Sequence, residues 1–206
     1  MNKIEELEKV KKEMEDDKSL PLREGATRLV FGEGNPDAEI YFIGEGPGYN
    51  EDQQGRPFVG QAGQLLDRLV ESIGMKREDV YISNVVRFRP PSNRDPQPEE
   101  IAAFQPYVDR EIEVVDPKVI VTLGRFSMGK FLPGAKISSV HGKPQVVEWK
   151  GESLAVVPMY HPAAALRAGA IMEQIREDFK IIPEVLERRK QDVQEKKAKG
   201  EQMSLV

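Results

Sequence analysis

The chain contains no cysteine. Disulfides, thiolate nucleophiles and thiolate-ligated metal or iron–sulfur sites are therefore excluded. A basic excess is missing as well: 30 Lys and Arg against 35 Asp and Glu give a formal net charge of −5. No overall positive field marks a polyanion as partner, so any contact with nucleic acid must come from local patches. Long apolar runs are also absent. The longest uncharged stretch, Ser153 to Leu166, is broken by prolines and too short to cross a bilayer, and the opening "MNKIEELEKVKKEMEDD" has no signal-peptide core. A cytoplasmic protein without membrane association is expected. No internal repeat is visible.

What is present suits one domain, since 206 residues with 39% hydrophobic content can bury a substantial core. Residues 1–18 form an amphipathic helix in this reading, with Ile4, Leu7, Val10 and Met14 spaced to lie on the body of the protein. Residues 19–190 hold the main domain, and 191–206 a charged tail whose end reads as frayed. "EIYFI" predicts a strand at 39–43, "AGQLLDRLVESIG" a helix stopped at Gly74, and "DVYISNVVRF" a second strand. The proline-rich "RPPSNRDPQP" is a loop, and Pro98 opens a helix over 98–115. "PKVIVTLG" has the character of a buried parallel strand, and a hairpin turning at Lys150 and Gly151 runs into His161. The remainder is helical, with Pro183 as a break. Alternating strand and helix is the rhythm of a doubly wound α/β sheet.

Ligands of such sheets bind beyond the carboxyl ends of the strands. Three of those ends carry polar loop sequence: Gly44–Phe58, Asn84–Arg94 and Tyr160–Arg167. The expectation is that Glu45, Glu51, Phe58, Asn84 and His161 meet in one crevice. "GEGPG" gives backbone that can approach a ligand closely, although Pro47 and the long insert before the next helix spoil a dinucleotide fingerprint. "GQAGQL" has no Lys followed by Ser or Thr, so a P-loop fails too. Each residue alone also has an ordinary structural reading: a tight turn, a core ring, a local backbone binder, a satisfied imidazole.

Taken together, "VFGEGNPDAEIYFIGEGPGYNEDQQGRPFVGQAGQLLD", "VYISNVVRFRPPSNRDPQPEEI", "PKVIVTLG" and "YHPAAALR" resemble the family 4 uracil-DNA glycosylases. The resemblance covers about residues 20–180. It implies a single-domain, three-layer α/β/α sandwich around a short, mainly parallel sheet. It also implies hydrolysis of the bond between uracil and deoxyribose in DNA, with release of free uracil by a monomeric enzyme of base excision repair. A base inside a duplex must first be flipped out, at a cost of a few kcal/mol.

Carried over by position, the resemblance makes Phe58 the surface on which uracil stacks and Asn84 the reader of its O4 and N3 edge. Gly46 and Gly48 close over the base. His161 donates to the charge developing on O2, and Glu51 and Glu45 position water or stabilise the sugar cation, with Glu51 the principal carboxylate. Leu166 fills the hole left in the stack and Arg167 meets phosphate; the residues of "RFRPPSNR" themselves place Arg87, Arg89 and Arg94 in a local cationic patch for DNA, with Ser92 beside them as a further DNA contact. The family's four-iron, four-sulfur cluster is expected to be absent and no metal is assigned. Its ligand positions fall near Asp16 and Ser19 and at Phe88 and Phe104, two rings expected to staple loop to helix instead. The competing expectations are a non-catalytic module binding DNA or a flipped base with the same pocket, and a generic nucleotide-binding domain.

Overall fold

The computed structural model describes residues 2–203, with side chains through residue 195. Six strands form one sheet: β1 (Glu33–Gly34), β2 (Ile40–Gly44), β3 (Tyr81–Asn84), β4 (Val119–Leu123), β5 (Gln145–Trp149) and β6 (Glu152–Met159). Their order is β1-β3-β2-β4-β6-β5. The four inner strands are parallel and the two edge strands antiparallel.

Period-two alternation along β2 explains the three layers. Ile40 and Phe42 face the layer built from α3 (Gln61–Ser72), α7 (Pro162–Ala165), α8 (Gly169–Phe179) and α9 (Ile182–Met203), where they meet Leu65, Leu69, Phe179 and Ile182. Tyr41 and Ile43 face α1 (Lys3–Asp16), α4 (Pro98–Val115) and α5 (Arg125–Phe131), joining Val10, Met14, Val108, Ile112 and Phe131. Two short helices, α2 (Tyr49–Gln54) and α6 (Ile137–Val140), lie in loops.

Local signals place the boundaries. Asn2 caps α1 in a capping box: its Oδ1 accepts from Glu5 N at 2.9 Å, and its own N–H donates to Glu5 Oε2 at 3.2 Å. Gly74 takes φ +80° beyond α3, a left-handed stop that favours glycine. Lys150 and Gly151 both have positive φ, 49° and 85°, the two-residue turn that matches hairpin twist.

Four expectations need correction. Ile4 is 57% exposed, because the buried stripe of α1 is Leu7, Val10 and Met14 alone. The second strand ends at Asn84; residues 85–88 stay buried without strand pairing. The helical backbone runs on to Met203, past the expected frayed end, while residues 204–206 lie outside the described residues.

Arg87 is the largest correction. Expected on a DNA-facing patch with Arg89 and Arg94, it is 0% exposed and paired with Glu111 of α4, itself 0% exposed. Tyr41 and Tyr81 donate to the same carboxylate at 2.7 and 3.0 Å, and Ser83 at 3.0 Å. A buried guanidinium is tolerable only with such a paired and hydrogen-bonded partner. Burial, with Glu111 adjacent, holds both tyrosine hydroxyls well above their usual pKa.

Candidate active site

The parallel strand ends open into a cleft of about 510 Å³. Its wall includes Glu45, Gly46, Gly48 and Glu51 after β2, Asn84 and Arg94 after β3, Gly124 and Arg125 after β4, and Tyr160, His161 and Arg167 after β6. The loops after β2 and β4 diverge here because they lead to α3 and α5, which cover opposite faces, making this the switch point of the sheet. All five residues expected to converge line this one cleft.

Gly44 and Asn84 are paired in register at the ends of β2 and β3. A methyl group at Gly44 would lie 2.4 Å from Phe58 Cζ and 2.5 Å from Asn84 Oδ1, so only glycine lets the ring and the amide share this corner. Asn84 is 2% exposed, and its Oδ1 has no hydrogen-bond partner.

Phe58 sits at φ +52°, a left-handed conformation that costs an L-residue about 1–2 kcal/mol. Glu51 holds the turn in place: its Oε1 accepts from Val59 N at 2.9 Å and Gly60 N at 2.8 Å. The remaining oxygen, Oε2, lies against Gly48, 2.9 Å from where a methyl there would stand. The adjacent acid, Asp52, turns away from the cleft; it is 2% exposed and accepts from Thr27 N at 2.7 Å. Glu45 accepts from Phe126 N at 3.1 Å, which ties the loop after β2 to the start of α5. Burial raises the Glu45 carboxyl above its ordinary pKa, against the lowering effect of that N–H.

His161 leaves β6 as the N-cap of α7, and its Nδ1 accepts from Ala163 N at 3.1 Å. An Nδ1 that accepts leaves the proton on Nε2, so the neutral ring is a donor toward the cleft. Desolvation lowers its pKa to about 4, with Glu51 opposing and Arg167 assisting. The imidazole and the Phe58 ring lie 5.7 Å apart, inclined by 27°. At that separation the rings touch each other, so a base would lie beside the imidazole rather than between the two rings.

The residues assigned to DNA are dispersed around the mouth. Arg94 and Arg167 line it, and Leu166 is 41% exposed at the end of α7. Arg94 is tied to Glu100 at 2.8 Å. Arg89 and Ser92 stand outside the cleft wall, Arg89 bonded to Asn93 Oδ1 at 2.7 Å with its guanidinium over the exposed Tyr49 ring, 5.2 Å from the centroid. Sequence reasoning overlooked Arg125, Tyr160 and Tyr49. Arg125 carried a signal, since it follows Gly124, the glycine just after β4.

Comparison with known proteins shows the family. The family model "Uracil DNA glycosylase superfamily" matches residues 31–180, and the chain belongs to that superfamily. It is 47% identical over 190 residues to the type-4 uracil-DNA glycosylase of Sulfurisphaera tokodaii, covering 88% of this chain and 86% of that one. Identity to the type-4 enzyme of Archaeoglobus fulgidus is 44%, over 88% of this chain and 94% of the other. For the Thermotoga maritima type-4 enzyme it is 47%, over 72% and 77%. The similarity is thus to the type-4 branch.

The iron–sulfur cluster implied by that branch does not fit these residues. Phe88 and Phe104 are buried and pack with ring centroids 6.1 Å apart. The Arg23 guanidinium covers Phe88 at 4.9 Å and donates to the carbonyls of Met14 and Asp17 at 2.8 and 3.1 Å. Asp17 accepts from Ser19 Oγ at 2.6 Å and Tyr107 Oη at 2.8 Å. Rings and hydrogen-bonded side chains therefore hold α1, the loop after β3 and α4 together without a thiolate donor. Among the described residues, no group of three or more His, Asp or Glu is placed to hold a metal ion, and no helix is long and apolar enough to cross a membrane.

Proposed function

We propose that this chain is a monofunctional uracil-DNA glycosylase that flips deoxyuridine out of DNA and hydrolyses its N-glycosidic bond. The observation that carries the reading is the unpartnered Asn84 Oδ1. Of the buried side-chain atoms without a partner among the described residues, it is the one on the cleft. Leaving such an atom unsatisfied costs about 1–3 kcal/mol, and the N3–H of a uracil stacked on Phe58 would satisfy it while the Asn84 amide donates to O4. Cytosine presents the reverse donor and acceptor order, so it would leave buried groups unpaired.

As the bond breaks, negative charge grows on uracil O2 and positive charge on the sugar. The neutral imidazole of His161 donates from Nε2 to O2, a preorganised donor where charge develops. Glu51 uses one oxygen to hold the Phe58 turn and keeps the other for the sugar cation or the attacking water. Glu45 acts mainly as a brace between the loop after β2 and α5. Gly46 and Gly48 let backbone close over the base. Leu166 fills the space left in the duplex, while Arg167, Arg89, Ser92 and Arg94 contact the backbone; Arg94 must exchange Glu100 for phosphate to do so. The proposal includes a monomer of the cytoplasm that releases free uracil and leaves an abasic site.

The test is alkaline scission of a uracil-containing oligonucleotide after incubation with the protein. Scission that disappears in His161→Ala and Glu51→Gln supports the reading. Tight binding without scission would establish the non-catalytic module instead.

A further inference from the structure

We propose that Arg77, outside the cleft, is the positioning residue that holds the Phe58 ring in its base-stacking place. Arg77 opens the turn leading into β3, the strand that carries Asn84. Its Nη2 donates to Pro57 O at 2.6 Å and its Nη1 to Phe58 O at 3.1 Å. The other bonds go to Asp67 at 2.8 Å and to Glu33, from Nη2 at 3.1 Å and Nε at 3.3 Å. All five guanidinium N–H groups are thereby used, and Glu33 is fixed in turn by Arg56 at 2.7 and 2.8 Å.

The turn it grips needs such a hold. Phe58 is in the left-handed region at φ +52°, a conformation that persists only where the surroundings over-determine it. Arg77 takes the two carbonyls of residues 57 and 58, and Glu51 takes the two amides of residues 59 and 60. Gly63 closes the third side: a methyl there would stand 1.8 Å from Phe58 O. Three consecutive peptide groups, 57–58, 58–59 and 59–60, are therefore fixed, the middle one from both ends, by one cation and one anion. Because Arg77 belongs to the approach to β3, the same fork sets the distance between the stacking ring and the Asn84 amide. A lysine ammonium lacks the planar fork needed to serve two carbonyls and two carboxylates together.

This inference rests on the uracil reading for its effect on catalysis, but not for its effect on the turn. The test therefore has two arms. In hydrogen exchange on the free protein, Arg77→Ala is expected to speed exchange at Val59 and Gly60, whose amides are bonded to Glu51, while the centre of α3 keeps its protection; unchanged exchange at those amides would overturn the clamp. In single-turnover assays on uracil-containing DNA, Arg77→Ala is expected to lose about 10- to 100-fold in rate, with Arg77→Lys close behind it. In a Phe58→Ala background the same substitution is expected to cost nothing further. A full additive loss in that background, or no loss in the parent, would overturn the positioning role. Should Arg77→Ala fail to fold, Arg77→Lys and Glu33→Gln carry both arms. An inactive wild type would sink the uracil reading and leave the exchange arm standing.

Discussion

Ser83 and Asn84 are neighbours on β3, yet their side chains enter two polar clusters of opposite character. Ser83 joins Tyr41, Tyr81 and Arg87 around the Glu111 carboxylate, in a cluster where only Arg87 Nε lacks a partner and the guanidinium rests on the Phe31 ring, 5.5 Å from its centroid. Asn84 faces the cleft with its Oδ1 unpartnered, beside an aromatic turn held at positive φ. The first cluster, paired within itself but for Arg87 Nε, serves as architecture. The second keeps capacity open for a ligand.

The sharpest way to break this contrast is Glu111→Ala, which leaves Arg87 buried without a counter-charge. It is expected to lower unfolding stability by about 3–5 kcal/mol, read by chemical denaturation, with rate per folded molecule preserved. Should it instead spare stability and abolish scission, the two clusters do not divide in this way. His161→Ala is the converse: a fall in kcat of about 10²–10³, with stability lowered by only about 1 kcal/mol through the lost cap on α7. Leu166→Ala is expected to weaken action on duplex uracil by about tenfold and on single strands by less, since only a duplex has a hole to fill. Equal losses on both would remove Leu166 from that role.

The smallest effect is on pH. His161 has a folded pKa near 4 against an ordinary 6.5. The neutral, donating ring should thus persist well below neutrality, and the rate should fall only as pH approaches 4. The unfolded chain binds the proton first, so between 6.5 and 4 stability contributed at this site declines as pH drops. A rate that halves near pH 6.5 would contradict a desolvated imidazole.

Much of this was legible beforehand, for identifiable reasons. The alternation in "EIYFIG" and the three-and-four spacing in "QLLDRLV" encode faces directly, so the strands, α3 and a doubly wound sheet followed from local pattern, while the three-layer sandwich was what the family resemblance implied. Strand ends in a parallel sheet converge by topology, which is why Glu45, Glu51, Phe58, Asn84 and His161 could be grouped. Arg87 could not be placed in that way. Its partner Glu111 is 24 residues away on a helix, and nothing in "RFRPP" distinguishes a buried guanidinium from a solvated one. The division of labour among the acids was equally hidden, since Glu51, Asp52 and Glu45 differ only in which backbone amides they meet.

By itself, then, the sequence determined the order of elements, the chemical groups available and the absence of any thiolate. Tertiary structure alone decided which charges are buried as pairs, which carboxylate braces and which keeps an oxygen free, and that Phe58 is held against its backbone preference. The physical reason is range. Side-chain periodicity is local and readable along the chain, whereas desolvation and hydrogen-bond satisfaction depend on partners that only folding brings within about 3 Å.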